Sequence, residues 1–518
     1  MIESLKDHEQ LIEGLMHPEA WSSGNEKPLS ISTHISTVIL FGQHAYKIKK
    51  PLDLGFLDYS SLDKRHHFCE EEVRLNQRLA PNLYEAAVPV TGSLEAPVIG
   101  GDGPAIEWAV KMQRFDPNAI LSQRIGDLNR GLVERIARIV AKFHLQANSC
   151  EEDLPYGNSS AVYGPMVQNF SQIRAERPGT RSSIDELSNW TENRFSELQH
   201  LLDQRKAHGH IRECHGDLHL GNIALINGQP IIFDGIEFNR GLHWVDTISE
   251  VAFLTMDLTR IGRADLARWF LNEYLEQTGD YDALPLLHFY EVYRAMVRAK
   301  VNVIHGNQWH HSRAAREQTM SEYRRCLRTA EAFTRPALSG LIITKGPAAS
   351  GKSTLSGSLL GKLPAIRVRS DVERKRLSGV SIDADAADSF NAGIYSADMT
   401  ERTYVRLAAL AEEIIKSGFI AIVDATFLKR DYRQRFSDLA QSLNVPFVIL
   451  NCEVPVEELK ARLIQRQAQG SDVSDATIEV LVSQFDQTEP LSGEEAANSL
   501  VVRPDVELEM DDLVQRLV

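Results

Sequence analysis

Three oxygen-bearing side chains at set intervals carry the first chemistry. In His215-Gly216-Asp217-Leu218-His219-Leu220-Gly221-Asn222 an aspartate and an asparagine lie five apart, and the apolar run Ile231-Ile232-Phe233 then ends in Asp234. Moving a phosphoryl group from a nucleotide needs a carboxylate to orient the attacking hydroxyl. It also needs hard oxygen ligands to hold Mg²⁺ against the phosphates. Asp217 suits the first task, Asn222 and Asp234 the second. His215 and His219 could share a metal only from a helix, and Gly216 and Gly221 argue against one. Both histidines read as packing beside the loop.

A second set lies downstream. Gly346-Pro347-Ala348-Ala349-Ser350-Gly351-Lys352-Ser353-Thr354 matches G-x-x-x-x-G-K-[ST] and follows the apolar run Leu341–Thr344. Backbone N–H groups along Gly346, Ser350, Gly351, Lys352, Ser353 and Thr354 would cradle phosphate at a helix N-terminus. Lys352 would reach the β- and γ-phosphates, and the Ser353 hydroxyl would ligate Mg²⁺. Asp424 ends the strand-like run Ile420–Val423 and is placed to act near that ion, or otherwise to cap a helix. Asp371, about twenty residues beyond the loop, suits an acceptor-hydroxyl base, with Arg374 three residues on. Arg462 and Arg466 share a helix face and read as lid arginines that steady the transferring phosphoryl group, or else as solvated surface charges.

Both sets resemble known families. His215–Asn222 with Ile231–Phe238 (IIFDGIEF) is similar to the aminoglycoside phosphotransferase family, which shares the protein-kinase-like fold, over residues ~30–330. The resemblance implies a nucleotide cleft between two lobes, with Asp217 catalytic and Asn222 and Asp234 as magnesium ligands. It also implies a strand lysine paired with a helix glutamate. Lys47 and Lys49 share a strand face, so spacing does not choose between them. Ala45-Tyr46-Lys47 follows the usual A-x-K order. Glu72 is the best-placed partner, since Leu75 and Leu79 continue its helix face. Met112–Phe115 would bind the base through the backbone. The sequence departs from the family in the phosphate-covering loop, Ser32–Thr37, which has no glycine, and no cluster suited to an aminoglycoside is legible. Residues ~340–515 resemble P-loop kinases of small molecules and of polynucleotide 5′-ends. There the Asp371 position would activate the acceptor hydroxyl and the Arg374 position would bind substrate phosphate.

These residues need elements to position them. Thr37–Phe41 and Ala45–Lys49 flank Gly42-Gln43-His44 as a hairpin, Ser60 or Ser61 can cap a helix running to about Leu79, and Glu107–Phe115 reads as a strand. From about 120 to 334 the pattern is mostly helical. Pro336 and Gly340 break the chain before the next strand, which sets a boundary near 336. The expected fold class is an α+β bilobal kinase-like domain over 1–335 (small lobe ~30–115, helical lobe ~116–335). An α/β P-loop domain with a parallel sheet follows over 336–518.

Composition narrows the partners. The 518 residues carry 56 Lys+Arg against 71 Asp+Glu, a net charge of −15, which disfavours broad nucleic-acid or membrane binding. The last 34 residues hold nine acids against Arg503 and Arg516, so −7 lies in that tail. Two basic runs, Arg367–Arg376 with five Lys/Arg and Lys429–Arg435 with four, flank the P-loop site and point to an anionic acceptor there. The five cysteines are scattered without C-x-x-C spacing, no signal peptide is read, and a reducing cytoplasmic setting fits. The expected activity is bifunctional phosphotransfer with ATP or GTP and Mg²⁺ to small-molecule or nucleic-acid-end hydroxyls. The rivals are a nucleotide-sensing switch with one idle site and a nucleic-acid end-repair kinase.

Overall fold

The computed structural model describes residues 2–21, 27–177, 181–308, 313–382, 396–469, 478–503 and 508–517. The chain forms two compact units, Met1–Leu258 with Tyr290–Ala330, and Thr259–Phe289 with Glu331–Val518.

The first unit opens with α1 (Leu5–Leu15). Ser4 accepts the Asp7 N–H while Asp7 accepts the Ser4 N–H, a reciprocal cap on two open donors. Next come β1 (Leu29–Ser32), β2 (Ser36–Phe41), β3 (His44–Lys49), α2 (Leu62–Asn76, capped by Ser61), β4 (Tyr84–Gly92), β5 (Pro97–Ile99) and β6 (Glu107–Gln113). They make one antiparallel sheet in the order β1-β2-β3-β6-β4-β5. The β2–β3 hairpin pairs Phe41 with His44, and Gly42 supplies the left-handed turn residue at φ 57°. Period-two alternation divides the sheet. Tyr46, Ile48, Val90 and Ala109 pack on Leu11, Leu15 and Trp21. Val110 turns to the other face, with Cys69 and Tyr84. Lys47 and Lys49 alternate with Tyr46 and Ile48, so both face α2. Arg65 fixes α2 in place, buried against Glu107 at 2.8 Å.

The helical part contains α3 (Arg130–Gln146), α4 (Ser159–Glu176), α5 (Arg181–Ala207), β7 (Ile211–Glu213), β8 (Ile223–Ile226), β9 (Gln229–Ile232), α6 (Arg240–His243), β10 (Trp244–Asp246) and α7 (Thr247–Arg260). Asp217 lies on the loop from β7 to β8, and Asp234 follows β9. Then come α8 (Ala264–Thr278), α9 (Leu284–Gln308) and α10 (Arg313–Phe333).

The second unit is an α/β domain. It runs β11 (Gly340–Lys345), α11 (Lys352–Leu360), β12 (Ala365–Arg369), α12 (Ser370–Leu377), α13 (Ala397–Lys416), β13 (Ile420–Asp424), α14 (Arg430–Ser442), β14 (Phe447–Cys452), α15 (Val456–Gln469), α16 (Ile478–Asp486) and β15 (Ser499–Val502). The sheet order is β12-β13-β11-β14-β15, with every pairing parallel. β11 and β13 are buried along their whole length, as strands covered by helices on both faces must be.

The units change over at Ala330/Glu331, close to the expected break near 336, and also at Leu258/Thr259 and Phe289/Tyr290. Residues 259–289 group with the second unit because α8 lies along the edge strand β12. Asn272 Oδ1 accepts the Arg367 N–H at 2.7 Å, and its Nδ2 donates to the Ala365 carbonyl at 3.1 Å. One side-chain amide thereby satisfies backbone groups that an edge strand leaves open. Arg268 adds bonds to the carbonyls of Leu360 and Gly361 at 2.8 and 2.6 Å. The five cysteines are buried and unbridged. Among the described residues no helix is long and apolar enough to cross a membrane.

Candidate active sites

In the first unit α2 and β3 converge on one carboxylate. Glu72 is fully buried and accepts from Lys47 at 2.8 Å and from Lys49 at 2.6 Å. The two lysines then part. Lys47 also reaches Asp234 Oδ1 at 2.7 Å, and Asp234 is 47% exposed. Lys49 is sealed from solvent, with its ammonium shared among Glu72, Glu237 and the Tyr59 hydroxyl. The structure therefore separates what spacing left open, because Lys47 meets the cleft carboxylate and Lys49 is an internal tie. Burial pushes the Glu72 carboxyl up, but Lys47 and Lys49 outweigh it and hold the group at about 2.

The Asp234 segment is tied from both sides. Asp234 takes a left-handed φ of 64°, and its N–H donates to the Tyr84 hydroxyl at 3.1 Å. Asn76, one turn beyond Glu72, accepts the Gly235 N–H at 2.7 Å. On the loop side, His215 Nε2 donates to the Phe233 carbonyl at 2.8 Å while its Nδ1 accepts the Asp217 N–H at 3.3 Å. His219 Nδ1 accepts the Gly221 N–H at 3.0 Å, which leaves Nε2 to face Asp217 Oδ2 at 3.3 Å. Both histidines thus brace the loop. Burial pushes the Asp217 carboxyl up, yet His219, followed by Arg298, holds it well below the usual carboxylate range.

Asn222 donates its Nδ2 to the Asp217 carbonyl and to Oδ2, both at 3.0 Å. Its amide oxygen remains for a ligand. That oxygen and the open oxygen of Asp234 form the donor set a hard cation prefers, so the residues fit Mg²⁺. Met112 is less suited to its expected part. It sits within β6, between β3 and β4, with its side chain in the apolar cluster of Phe115 and Phe233. The N–H groups of Gln113 and Arg114 are taken by the carbonyls of Leu83 and Gln43. The loop at Ser32–Thr37 is a short turn closed by Thr33 on Ser36 and braced by Lys50. Sequence reasoning missed Tyr59, Asn76 and Glu237. Two lysines at alternate positions of one strand, facing a helix with one buried glutamate, were a signal that a second acid was needed.

In the second unit the P-loop runs from β11 into α11. Gly346 has φ 152°, and a Cβ there would lie 2.7 Å from Ser350 Oγ and 3.0 Å from the Cys452 carbonyl. Gly351 caps α11 in the left-handed region. Lys352 Nζ bonds the Pro347 carbonyl at 2.7 Å and Ser350 Oγ at 3.4 Å. Ser353 and Thr354 are exposed at the helix start. The Gly346 N–H donates to the Thr426 carbonyl at 3.0 Å, which ties the loop to the end of β13. Asp424, 5% exposed, accepts from Ser356 Oγ at 2.9 Å. The Ser353 hydroxyl and the second Asp424 oxygen again fit Mg²⁺.

Arg462 donates to the Ala349 carbonyl at 3.3 Å and pairs with Glu458 at 2.6 Å. Arg466 lies outside the described side chains. Gln484 of α16 accepts the Ala348 N–H at 2.7 Å, a contact with the loop that nothing in the sequence announced. A cavity of ≈ 540 Å³ opens beside Ser350, Gly351, Thr354 and Arg462, within the usual range for a nucleotide-sized ligand.

Asp371 and Arg374 lie in α12, just past Arg369, whose register partner is Asp424, and they face each other at 3.7 Å. The basic runs are largely consumed inside the fold. Arg367 and Arg369 pair with Glu276 at 2.9 and 3.5 Å, Arg376 with Glu373, buried Arg433 with Glu495 at 2.6 Å, and Arg435 with Glu401 at 2.5 Å. Lys429 and Arg430 remain exposed.

A family model described as an AAA domain matches residues 341–491. The second unit carries a P-loop nucleotide-binding domain. An uncharacterized protein of Mycobacterium tuberculosis (strain ATCC 25618 / H37Rv) is 29% identical over 448 residues, 85% of this chain and 87% of the relative. Among solved structures, the GDP and kanamycin complex of an APH(2″) enzyme aligns with 63% of this chain and 98% of its own at 13% identity, with a TM-score of 0.40. Kti12 of Chaetomium thermophilum in complex with ADP-AlF3 aligns with 34% and 99% at 16% identity, with a TM-score of 0.28. The chain thus joins an α+β unit that carries Asp217, Asn222 and Asp234 to a P-loop unit.

Proposed function

We propose that the chain is a bifunctional phosphotransferase in which each unit binds its own Mg²⁺–nucleotide, ATP or GTP, and phosphorylates a hydroxyl. The observation that carries this reading is the bridge from Glu72 through Lys47 to Asp234, on a segment bonded to the loop of Asp217 and Asn222. In the first site Lys47 binds the nucleotide phosphates, Asn222 and Asp234 would hold the ion, and Asp217 orients the acceptor hydroxyl and receives its proton. The ion would supply charge neutralisation at the phosphates.

In the second site the α11 N-terminus and Lys352 hold phosphate, and Ser353 and Asp424 would hold the ion. Asp371 is the acceptor base, and Arg462, with Arg466, steadies the transferring group. Its acceptor is anionic and is met by Arg374, beside Asp371, with the exposed Lys429 and Arg430. A nucleotide, a sugar phosphate and a nucleic-acid 5′-end all fit that description.

The test is an acceptor screen with γ-labelled nucleotide on wild type, Asp217→Asn and Asp371→Asn. Each variant should lose a different labelled product. If neither variant loses product, or if nucleotide is consumed with no acceptor labelled, the reading fails.

A further inference from the structure

A cavity of ≈ 670 Å³ opens beside Asp217, and its whole wall belongs to the first unit. Much of the wall is aromatic or aliphatic, with Phe56, Phe238 and Trp244 among its residues. Its charges are uneven. The lining carboxylates are Asp217 and Asp246. Asp246 is spent, because buried Arg205 grips it with bonds of 2.7 and 2.8 Å.

The lining cations are Arg294 and Lys300, both from α9. Arg294 bonds the Ser249 carbonyl, Ser249 Oγ and the Gly216 carbonyl, and has no carboxylate partner among the described residues. Lys300 has no ion pair or hydrogen bond among the described residues, and burial pushes its ammonium below the ordinary lysine value. Asn169, 1% exposed, lines the same cavity with its amide Nδ2 bonded to nothing. A buried donor without a partner is costly unless a ligand completes it.

We propose that this cavity takes a hydroxyl acceptor with a flat apolar body and an anionic group, carboxylate or phosphate, which Lys300 and Asn169 meet. The inference rests on the phosphotransferase reading of Asp217 and names the substrate class of that site. In the transfer, the acceptor O–H gives its proton to Asp217 as its oxygen bonds the γ-phosphorus. The bond from that phosphorus to the β-phosphate oxygen breaks, and the nucleoside diphosphate leaves. A polycationic acceptor finds no spare carboxylate in the wall and meets two cations instead.

The full-length protein is titrated with 4-(hydroxymethyl)benzoate and with the matched cation 4-(hydroxymethyl)benzyltrimethylammonium, followed by calorimetry and by tryptophan fluorescence. Both compounds, and kanamycin, are then offered as acceptors with labelled nucleotide. The carboxylate should bind about 10-fold or more tightly than the ammonium. Lys300→Met should weaken it by about 10- to 100-fold, and Lys300→Arg should restore most of it. No measurable carboxylate binding, equal binding of the ammonium, or a carboxylate affinity unmoved by Lys300→Met overturns the inference. Lys300-dependent binding without Asp217-dependent transfer supports the ligand class and sinks phosphotransfer at this site. Asp217-dependent transfer to kanamycin or the ammonium supports phosphotransfer and overturns the class.

Discussion

Substituting Lys49 by methionine removes a cation that touches both Glu72 and Glu237 inside the first unit. Glu237, 5% exposed, would keep only the Tyr59 hydroxyl among these partners. Removing one partner of a buried charge pair costs about 3–5 kcal/mol, because the other charge stays desolvated. At about 2–3 °C per kcal/mol for a unit of this size, the first unit's transition should fall by about 6–15 °C. Lys47→Met is the contrast. Glu72 keeps Lys49, and Asp234 is 47% exposed, so water takes over there and the loss should be about 1 kcal/mol or less. On the proposed function, phosphotransfer that depends on Asp217 should nevertheless fall by on the order of 100-fold or more in Lys47→Met, which would lose a phosphate ligand. Scanning calorimetry of the full chain gives the shifts, and hydrogen exchange in β3 and α2 shows which unit moved. Equal destabilisation by the two substitutions, or none from Lys49→Met, would refute the division of labour between the lysines.

Three further outcomes follow from the same geometry. Asn272→Ala should destabilise the second unit by about 1–3 kcal/mol, since the Arg367 N–H and Ala365 carbonyl lose their partner, as denaturant melts would read. Glu72 and Glu250 are each held at about 2 against an ordinary 4.5. Burial raises both groups, but the two lysines at Glu72 and the His144 bond at Glu250 prevail. Depressed carboxyls stabilise above their ordinary value, so the first unit should lose stability as pH falls from 4.5 toward 2, followed by melts across that window. Arg462→Ala should weaken fluorescent-nucleotide binding to the second unit several-fold and leave Asp217-dependent transfer intact, because the Ala349 carbonyl loses its tie.

What was legible in the sequence was local. Asp217, Asn222 and the P-loop lie on short segments whose chemistry is set by neighbours in the chain. The β2–β3 hairpin and α2 follow from alternation and from the Ser61 cap. Lys47 and Lys49 were not separable, because they share a strand face and the carboxylates that distinguish them lie nearly 190 residues away. The basic run at Arg367–Arg376 read as a binding surface because its neutraliser, Glu276, is 91 residues distant from Arg367. α1 had a signal in the reciprocal Ser4–Asp7 cap, which the reading of the small lobe from ~30 passed over. Pro336 and Gly340 mark a real change of pattern, but compactness depends on what α8 covers.

The amide of Asn272 also sets a schedule. Asn272 precedes Arg367 by 95 residues, so a ribosome adding about 5–20 residues per second needs about 5–20 s to deliver the strand that α8 covers. During that interval Arg268, Asn272 and Glu276 of α8 lack the backbone and side-chain partners they later hold. A stop codon anywhere between these positions would leave the Asn272 amide without the Arg367 N–H it completes.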